Sequence, residues 1–227
     1  MLAIVLPRYG ERKIVSTIET PLQAWERLVE GNTRFVEGNR SHPNQDAARR
    51  AELVSGQHPF AAIFGCGDSR LAAEIIFDLG LGDAFVVRTA GQVLDDAVLG
   101  SLEYASGELK TPLIMVLGHD SCGAITATQK ALVEGEMPGG FIRNLVEGIL
   151  PSVISPALPE GATINDMVVE HTRQTAARIA EQSGIIRQRI EDGSLAVIGV
   201  FYHLADGKAD LVYSSSPEIG YGKYSQP

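Results

Sequence analysis

The stretch PFAAIFGCGDSRLAAEIIFDL, residues 59–79, is an apolar run that ends in a thiol, a carboxylate and a guanidinium at alternate positions: Cys66, Asp68 and Arg70. A second apolar pattern then resumes at Leu71 and runs to Leu79. This predicts a buried strand, a sharp turn, and a helix with Asp68 or Ser69 as its cap. In an open α/β sheet the carboxyl end of a strand is where ligands bind. The same design recurs downstream. The apolar run PLIMVL, residues 112–117, leads into Gly118-His119-Asp120-Ser121-Cys122-Gly123 and a helical pattern from Ala124.

Cys66 and Cys122 are the only cysteines of the chain, and both fall at strand-to-helix junctions. If the two strands are neighbours, one thiolate from the first turn meets an imidazole and a thiolate from the second. A Cys₂His set with a vacant position is a catalytic zinc set, because zinc takes S and N ligands and needs an open position to activate water. A helix N-terminus beside each cysteine would favour the thiolate form. Taken singly, a buried cysteine is a small hydrophobe and a histidine at a turn is a hydrogen-bonding group; together they point to metal.

The two motifs, Cys66-Gly67-Asp68-Ser69-Arg70 and Gly118-His119-Asp120-Ser121-Cys122-Gly123, resemble the signatures of the β-class carbonic anhydrases, and the likeness is nearest to bacterial, actinobacterial-type members. It runs from about Pro21 to Val212. The resemblance implies one Zn²⁺ per chain on Cys66, His119 and Cys122. It also implies reversible hydration of CO₂ to bicarbonate and a proton by zinc-bound hydroxide. Asp68 would orient the hydroxide or close the site as a fourth ligand, and Arg70 would hold Asp68 off the metal. Gln57 would hydrogen-bond substrate, Phe85 and Tyr104 would line an apolar CO₂ pocket partly across a dimer interface, and the backbone of Gly123 would face bicarbonate. Some members bind inhibitory bicarbonate through a tryptophan where this chain has Ile63, although Arg88 and Tyr202 fall near the other expected positions. Two other functions share these residues: hydrolysis of CS₂ or COS on the same scaffold, and a non-enzymatic zinc-binding or redox-sensing protein.

The whole chain fits this reading. At 227 residues, one α/β domain over 1–227 is the simplest division, with an arm over 1–20 and an extended tail over 214–227. An apolar fraction of 44% and a charged fraction of 21% indicate a soluble globular protein. The net charge of −9, with no block of Lys or Arg, argues against nucleic acid and anionic membranes as partners. No apolar run reaches transmembrane length, and the opening MLAIVLP lacks a basic segment and a cleavage site, so the expected location is cytoplasmic. The expected partners are CO₂ or bicarbonate and further copies of the chain, as a dimer or tetramer.

Helices are expected from Pro21 (with Thr20 as cap), over 46–55, 95–106, from Ala124 to Glu134, 141–153 and 165–183. Strands are expected over 83–88 (buried), 113–117, 193–202 and 208–213, the last joined by a hairpin. The fold class is therefore α/β: a mostly parallel central sheet with flanking helices and an antiparallel edge strand. Asp95-Asp96 reads as a helix cap, His42, His58 and His203 as surface or packing groups, and His171 as structural.

Overall fold

Apolar β-branched and small residues build the centre of the molecule. In a computed structural model, which describes residues 20–220, five strands form one sheet: β1 (Ala61–Cys66), β2 (Ala84–Thr89), β3 (Leu113–His119), β4 (Ala196–Tyr202) and β5 (Ala209–Ser214). Their order is β2-β1-β3-β4-β5. The first four strands run parallel, and β5 pairs antiparallel with β4. The expected architecture is thus observed. β1, β3 and β4 are buried along their whole length, which is why they read as continuous apolar runs and not as alternating ones.

Eight helices flank the sheet among the described residues: α1 (Pro21–Val36), α2 (Ala47–Glu52), α3 (Ala73–Ile76), α4 (Asp96–Glu103), α5 (Gly123–Glu134), α6 (Ile142–Val153), α7 (Ile164–Gln182) and α8 (Gly184–Glu191). Side chains alternate across the pleat and feed two cores. Ile63, Met115 and Ile198 pack with Trp25, Leu28, Phe77 and Ile149 on one face. Phe64, Val116 and Val197 pack with Leu102, Ala176, Ile179 and Ile186 on the other.

Helix α1 starts as expected. Thr20 Oγ1 accepts from Gln23 N–H and Gln23 Oε1 accepts from Thr20 N–H, a reciprocal capping box, with Pro21 in the first turn. Gly31 lets this helix lie directly on the Phe77 carbonyl, where a Cβ would come within 1.9 Å of the oxygen. Asp95 caps α4 by accepting from Val98 N–H at 2.8 Å.

Several expectations need correction. The helix after Cys66 is a single turn, Ala73–Ile76, and neither Asp68 nor Ser69 caps it. The Asp68 carboxylate is engaged instead by the backbone and guanidinium of Arg70, and Asp78, at φ 48°, stops the helix early. Only Cys122 therefore stands at the mouth of a regular helix, as the N-cap of α5. Strand β2 is half-exposed, because it is the sheet edge. Helix α8 was not anticipated; Ser183 caps it through Ile186 N–H at 3.1 Å. Ser214 closes β5, and Ser215 pairs with both backbone groups of Val197 at 2.9 Å, so residues 214–220 are tied to the sheet, with Ile219 buried. The arm over 1–19 and the tail beyond 220 lie outside the described residues.

Candidate metal centre

The β1–β3 pairing, with Gly65 opposite Leu117, brings the ends of the two motif strands side by side. Cys66 ends β1, His119 ends β3, and Cys122 follows one tight turn later at the start of α5. Ser121 takes φ 53° to make that turn, and its N–H donates to Asn165 Oδ1 of α7 at 3.1 Å. The two Cys Sγ atoms and one His119 ring nitrogen lie within 4.8 Å of one another, and all three residues are buried.

The imidazole orientation is set from outside. The Asp120 carbonyl accepts from His119 Nδ1–H at 2.8 Å, so the lone pair resides on Nε2. Nε2 is buried without a hydrogen-bond partner among the described residues. Asp120 is itself anchored: its N–H donates to the Tyr202 carbonyl at 3.1 Å, and its Oδ2 accepts from Leu204 N–H at 3.1 Å.

Electrostatics favour a thiolate. The Cys122 thiol beside it pulls the Cys66 thiol well below the usual thiol range; burial opposes, while His119 and the Gly91 N–H help. The same proximity, together with burial, pushes Cys122 up. Cys66 is therefore the more acidic of the two sulfurs, the one that first becomes a thiolate. A buried thiolate and a second thiol facing an orphaned imidazole nitrogen make a donor set that fits a zinc-type cation and leaves one position free.

Asp68 lies over this cluster, its Oδ2 4.0 Å from His119 Nε2. Arg70 holds the carboxylate with Nε to Oδ1 at 2.9 Å and Nη2 to Oδ2 at 2.7 Å, which keeps its pKa well below the usual carboxylate range. Arg88 reaches across from β2 and donates to the carbonyls of Cys66 (3.0 Å) and Asp68 (2.6 Å), fixing the loop from its outer side.

The profile of the family described as carbonic anhydrase matches residues 61–209. This chain belongs to the carbonic anhydrase family. It is 52% identical over 191 residues to a carbonic anhydrase of Mycolicibacterium smegmatis, covering 84% of this chain and 93% of that one. It is equally identical, over 191 residues, to carbonic anhydrase 2 of Mycobacterium tuberculosis, covering 84% and 92%. Among solved structures, the β-carbonic anhydrase CcaA aligns with a TM-score of 0.63 at 26% identity, covering 82% of this chain and 94% of that one. A tetrameric β-carbonic anhydrase of Sordaria macrospora shares the fold, with a TM-score of 0.64 at 22% identity over 85% and 98%.

Against this family frame, the other expected site residues divide. Gly123 opens α5 beside the cluster, and a Cβ there would meet nothing within 4 Å, so space stands over its backbone. Phe85 and the exposed Tyr104 meet each other, ring centroids 6.2 Å apart, and Phe85 packs on the core opposite to that of Cys66 and Cys122. Gln57 is exposed in a loop beside Arg50, Leu53 and Gly82. No contact within the chain carries these three to the Cys–His–Cys set among the described residues. Ile63 is buried in β1, while Arg88 and Tyr202 serve the ligand loops through the bonds already given. Both cysteines are free thiols.

Sequence reasoning passed over Gly91, whose N–H donates to Cys66 Sγ at 3.3 Å. By its residues alone, Thr89-Ala90-Gly91-Gln92 is a turn after a strand and nothing more. Its one signal was a glycine at the carboxyl end of the strand beside β1, where a backbone amide can approach a ligand atom closely.

Proposed function

We propose that this chain performs the carbonic anhydrase reaction, the reversible hydration of CO₂ to bicarbonate and a proton, at a zinc ion held by Cys66, His119 and Cys122. Family membership gives the reaction; the choice of metal rests on the donor set. The observation that carries it is His119 Nε2, buried, unpartnered and facing two sulfurs within 4.8 Å. Burying such an acceptor without a bond costs about 1–3 kcal/mol, which a cation at that point would relieve.

Zinc bound there supplies a Lewis acid that makes water a nucleophile at working pH. The protein's own groups do the rest. Asp68, ionised and facing the cluster, accepts a hydrogen bond from the attacking water and so directs its lone pair. Arg70 keeps that carboxylate at a fixed distance through a two-point pair that lysine cannot copy. The Asp120 carbonyl fixes the ring of His119, and Gly91 fixes the sulfur of Cys66. Gly123, at the start of α5, offers a backbone N–H to the product anion, where the helix dipole favours negative charge.

A homo-oligomer completes the pocket. Among the described residues, strand β2 presents an unpaired, half-exposed edge carrying Phe85, Val86 and Val87, and such edges are normally covered. Gln57, Phe85 and Tyr104 are assigned to the pocket of a second copy across that edge. No helix of the described residues is long and apolar enough to cross a membrane, and a cytoplasmic location accords with the two free thiols.

The test is stopped-flow CO₂ hydration run alongside a metal count. Hydration that rises in proportion to bound zinc supports the proposal. Zinc-loaded protein without hydration, or hydration without bound zinc, overturns it.

A further inference from the structure

Helix α7 grips the ligand loop after β3 and the turn after β2. Its first turn receives Ser121 N–H on Asn165, and two consecutive residues further along hold the turn that follows β2: His171 meets Gly91, and Thr172 Oγ1 accepts from Gln92 Nε2 at 3.1 Å. His171 is buried, with Nε2 2.9 Å from the Gly91 carbonyl and Nδ1 2.9 Å from Ser152 Oγ. Burial holds the imidazole neutral, down to about 4. A neutral ring carries a single N–H, and a carbonyl oxygen can only accept, so the proton sits on Nε2 and points at Gly91. Ser152 Oγ stands against Nδ1 and is also 3.0 Å from Gln174 Oε1, so its single hydrogen lies between two acceptors and the Gly91 carbonyl alone assigns the ring proton.

Gly91 cannot be held by a side chain of its own. It takes φ 67°, and a Cβ would come within 2.7 Å of Ala124 Cβ and 2.8 Å of Ile149 Cδ1. Its carbonyl is therefore the point at which neighbouring structure takes hold of it. Its N–H, on the other side of the same Cα, is the group that donates to Cys66 Sγ.

We infer that His171 is a positioning residue of the metal centre: by donating Nε2–H to the Gly91 carbonyl, it aims the Gly91 N–H at the sulfur of Cys66. An N–H···S bond tempers the charge that a thiolate places on a metal and fixes the rotamer of the ligand; groups that orient ligands in this way change metal affinity by about 10- to 100-fold when removed. The inference rests on the zinc reading above, and it assigns a role in the site to a histidine whose sequence position, within a helix, reads as structural packing.

The experiment uses the zinc-loaded protein. The zinc dissociation constant is measured by chelator competition for wild type, His171→Leu and His171→Gln, and the Gly91 amide proton is followed by ¹H–¹⁵N NMR. Leucine fills the space without a donor, whereas glutamine can place an N–H near the position of Nε2. The expected result is zinc binding weakened by about 10- to 100-fold in His171→Leu with the Gly91 amide moved upfield, and recovery to within about threefold of wild type in His171→Gln. Unchanged affinity in His171→Leu, or equal loss in both variants, overturns the inference. If His171→Leu does not fold, the ring ¹⁵N shifts of wild-type His171 decide: a proton on Nε2 supports it, and a proton on Nδ1 overturns it. If wild type takes up no zinc, the zinc reading fails, and the ring tautomer still tests the contact with Gly91 by itself.

Discussion

Asp68 and Arg70 are joined at two points, Nε to Oδ1 at 2.9 Å and Nη2 to Oδ2 at 2.7 Å, while the same carboxylate stands 4.0 Å from Nε2 of His119. The carboxylate is thus paired with a guanidinium and faces the candidate metal centre. Arg70→Ala should release it toward the cluster. Its pKa, held down chiefly by the hydrogen bond from Arg70, would rise on that change toward the ordinary carboxylate range, which still leaves it ionised at neutral pH. The effect is positional and not a change of charge. Zinc content should stay at one per chain while hydration falls by about 10- to 100-fold. X-ray absorption should show an added oxygen ligand, and raising the pH should not restore the rate. Wild-type activity in Arg70→Ala at alkaline pH would remove Arg70 from this role.

Removing a ligand should behave differently. Cys66→Ala, His119→Ala and Cys122→Ala should each lose zinc on dialysis, and hydration with it, as read by elemental analysis and stopped flow. Retention of tightly bound zinc and full activity in Cys122→Ala would contradict the assigned set.

Gly91→Ala should be costly on two counts. The residue sits at positive φ, and the new methyl meets Ala124 and Ile149. A loss of about 1–3 kcal/mol in urea unfolding is expected, together with weaker zinc binding. A variant as stable as wild type and equal in zinc affinity would show that the turn tolerates a side chain.

His171 sets a pH dependence of stability. Its folded pKa, held at about 4 mainly by burial, lies below its ordinary 6.5. Between those values the unfolded chain binds more protons than the folded one, so the contribution is complete above 6.5 and is lost as pH falls toward 4. Its size is on the order of 3 kcal/mol. Urea midpoints of the metal-free protein should fall across this window in wild type and fall less in His171→Gln. Parallel curves for the two proteins would show that this imidazole is not the group responsible.

Assembly is tested by dilution. Light scattering should give a dimer or tetramer, and specific hydration activity should drop once the chain dissociates. A fully active monomer would contradict the assignment of Gln57, Phe85 and Tyr104 to a neighbouring pocket.

The sheet was legible because β1, β3 and β4 are buried on both faces and leave unbroken apolar runs. The three metal-ligating candidates were legible because cysteine is rare in this chain, with one copy ending such a run and the other in the turn after one. Other features left no local trace. Helix α3 is one turn long because Asp78 is held by Arg34 from α1 and Asp68 is taken by the neighbouring Arg70, which outweighs the apolar period of residues 71–79. Helix α8 was hidden by Gly184 at its first position and by its small apolar face. The roles of Gly91, Arg88 and His171 arise from contacts between segments far apart in the chain. A backbone N–H pointed at a sulfur has no residue type to announce it.

The parallel register of β1 against β3, with Gly65 opposite Leu117, has a consequence for biogenesis. Cys66 and His119 belong to segments separated by β2 and α4, so the ligand set does not exist until this non-local pairing forms. A slip by a single residue would turn alternate side chains to the wrong face and separate Cys66 from His119. A cation that binds only the correct pairing stabilises it by mass action and leaves slipped forms unrewarded. Zinc present during folding would therefore act as a proofreader of strand alignment, and refolding yield should rise with its concentration.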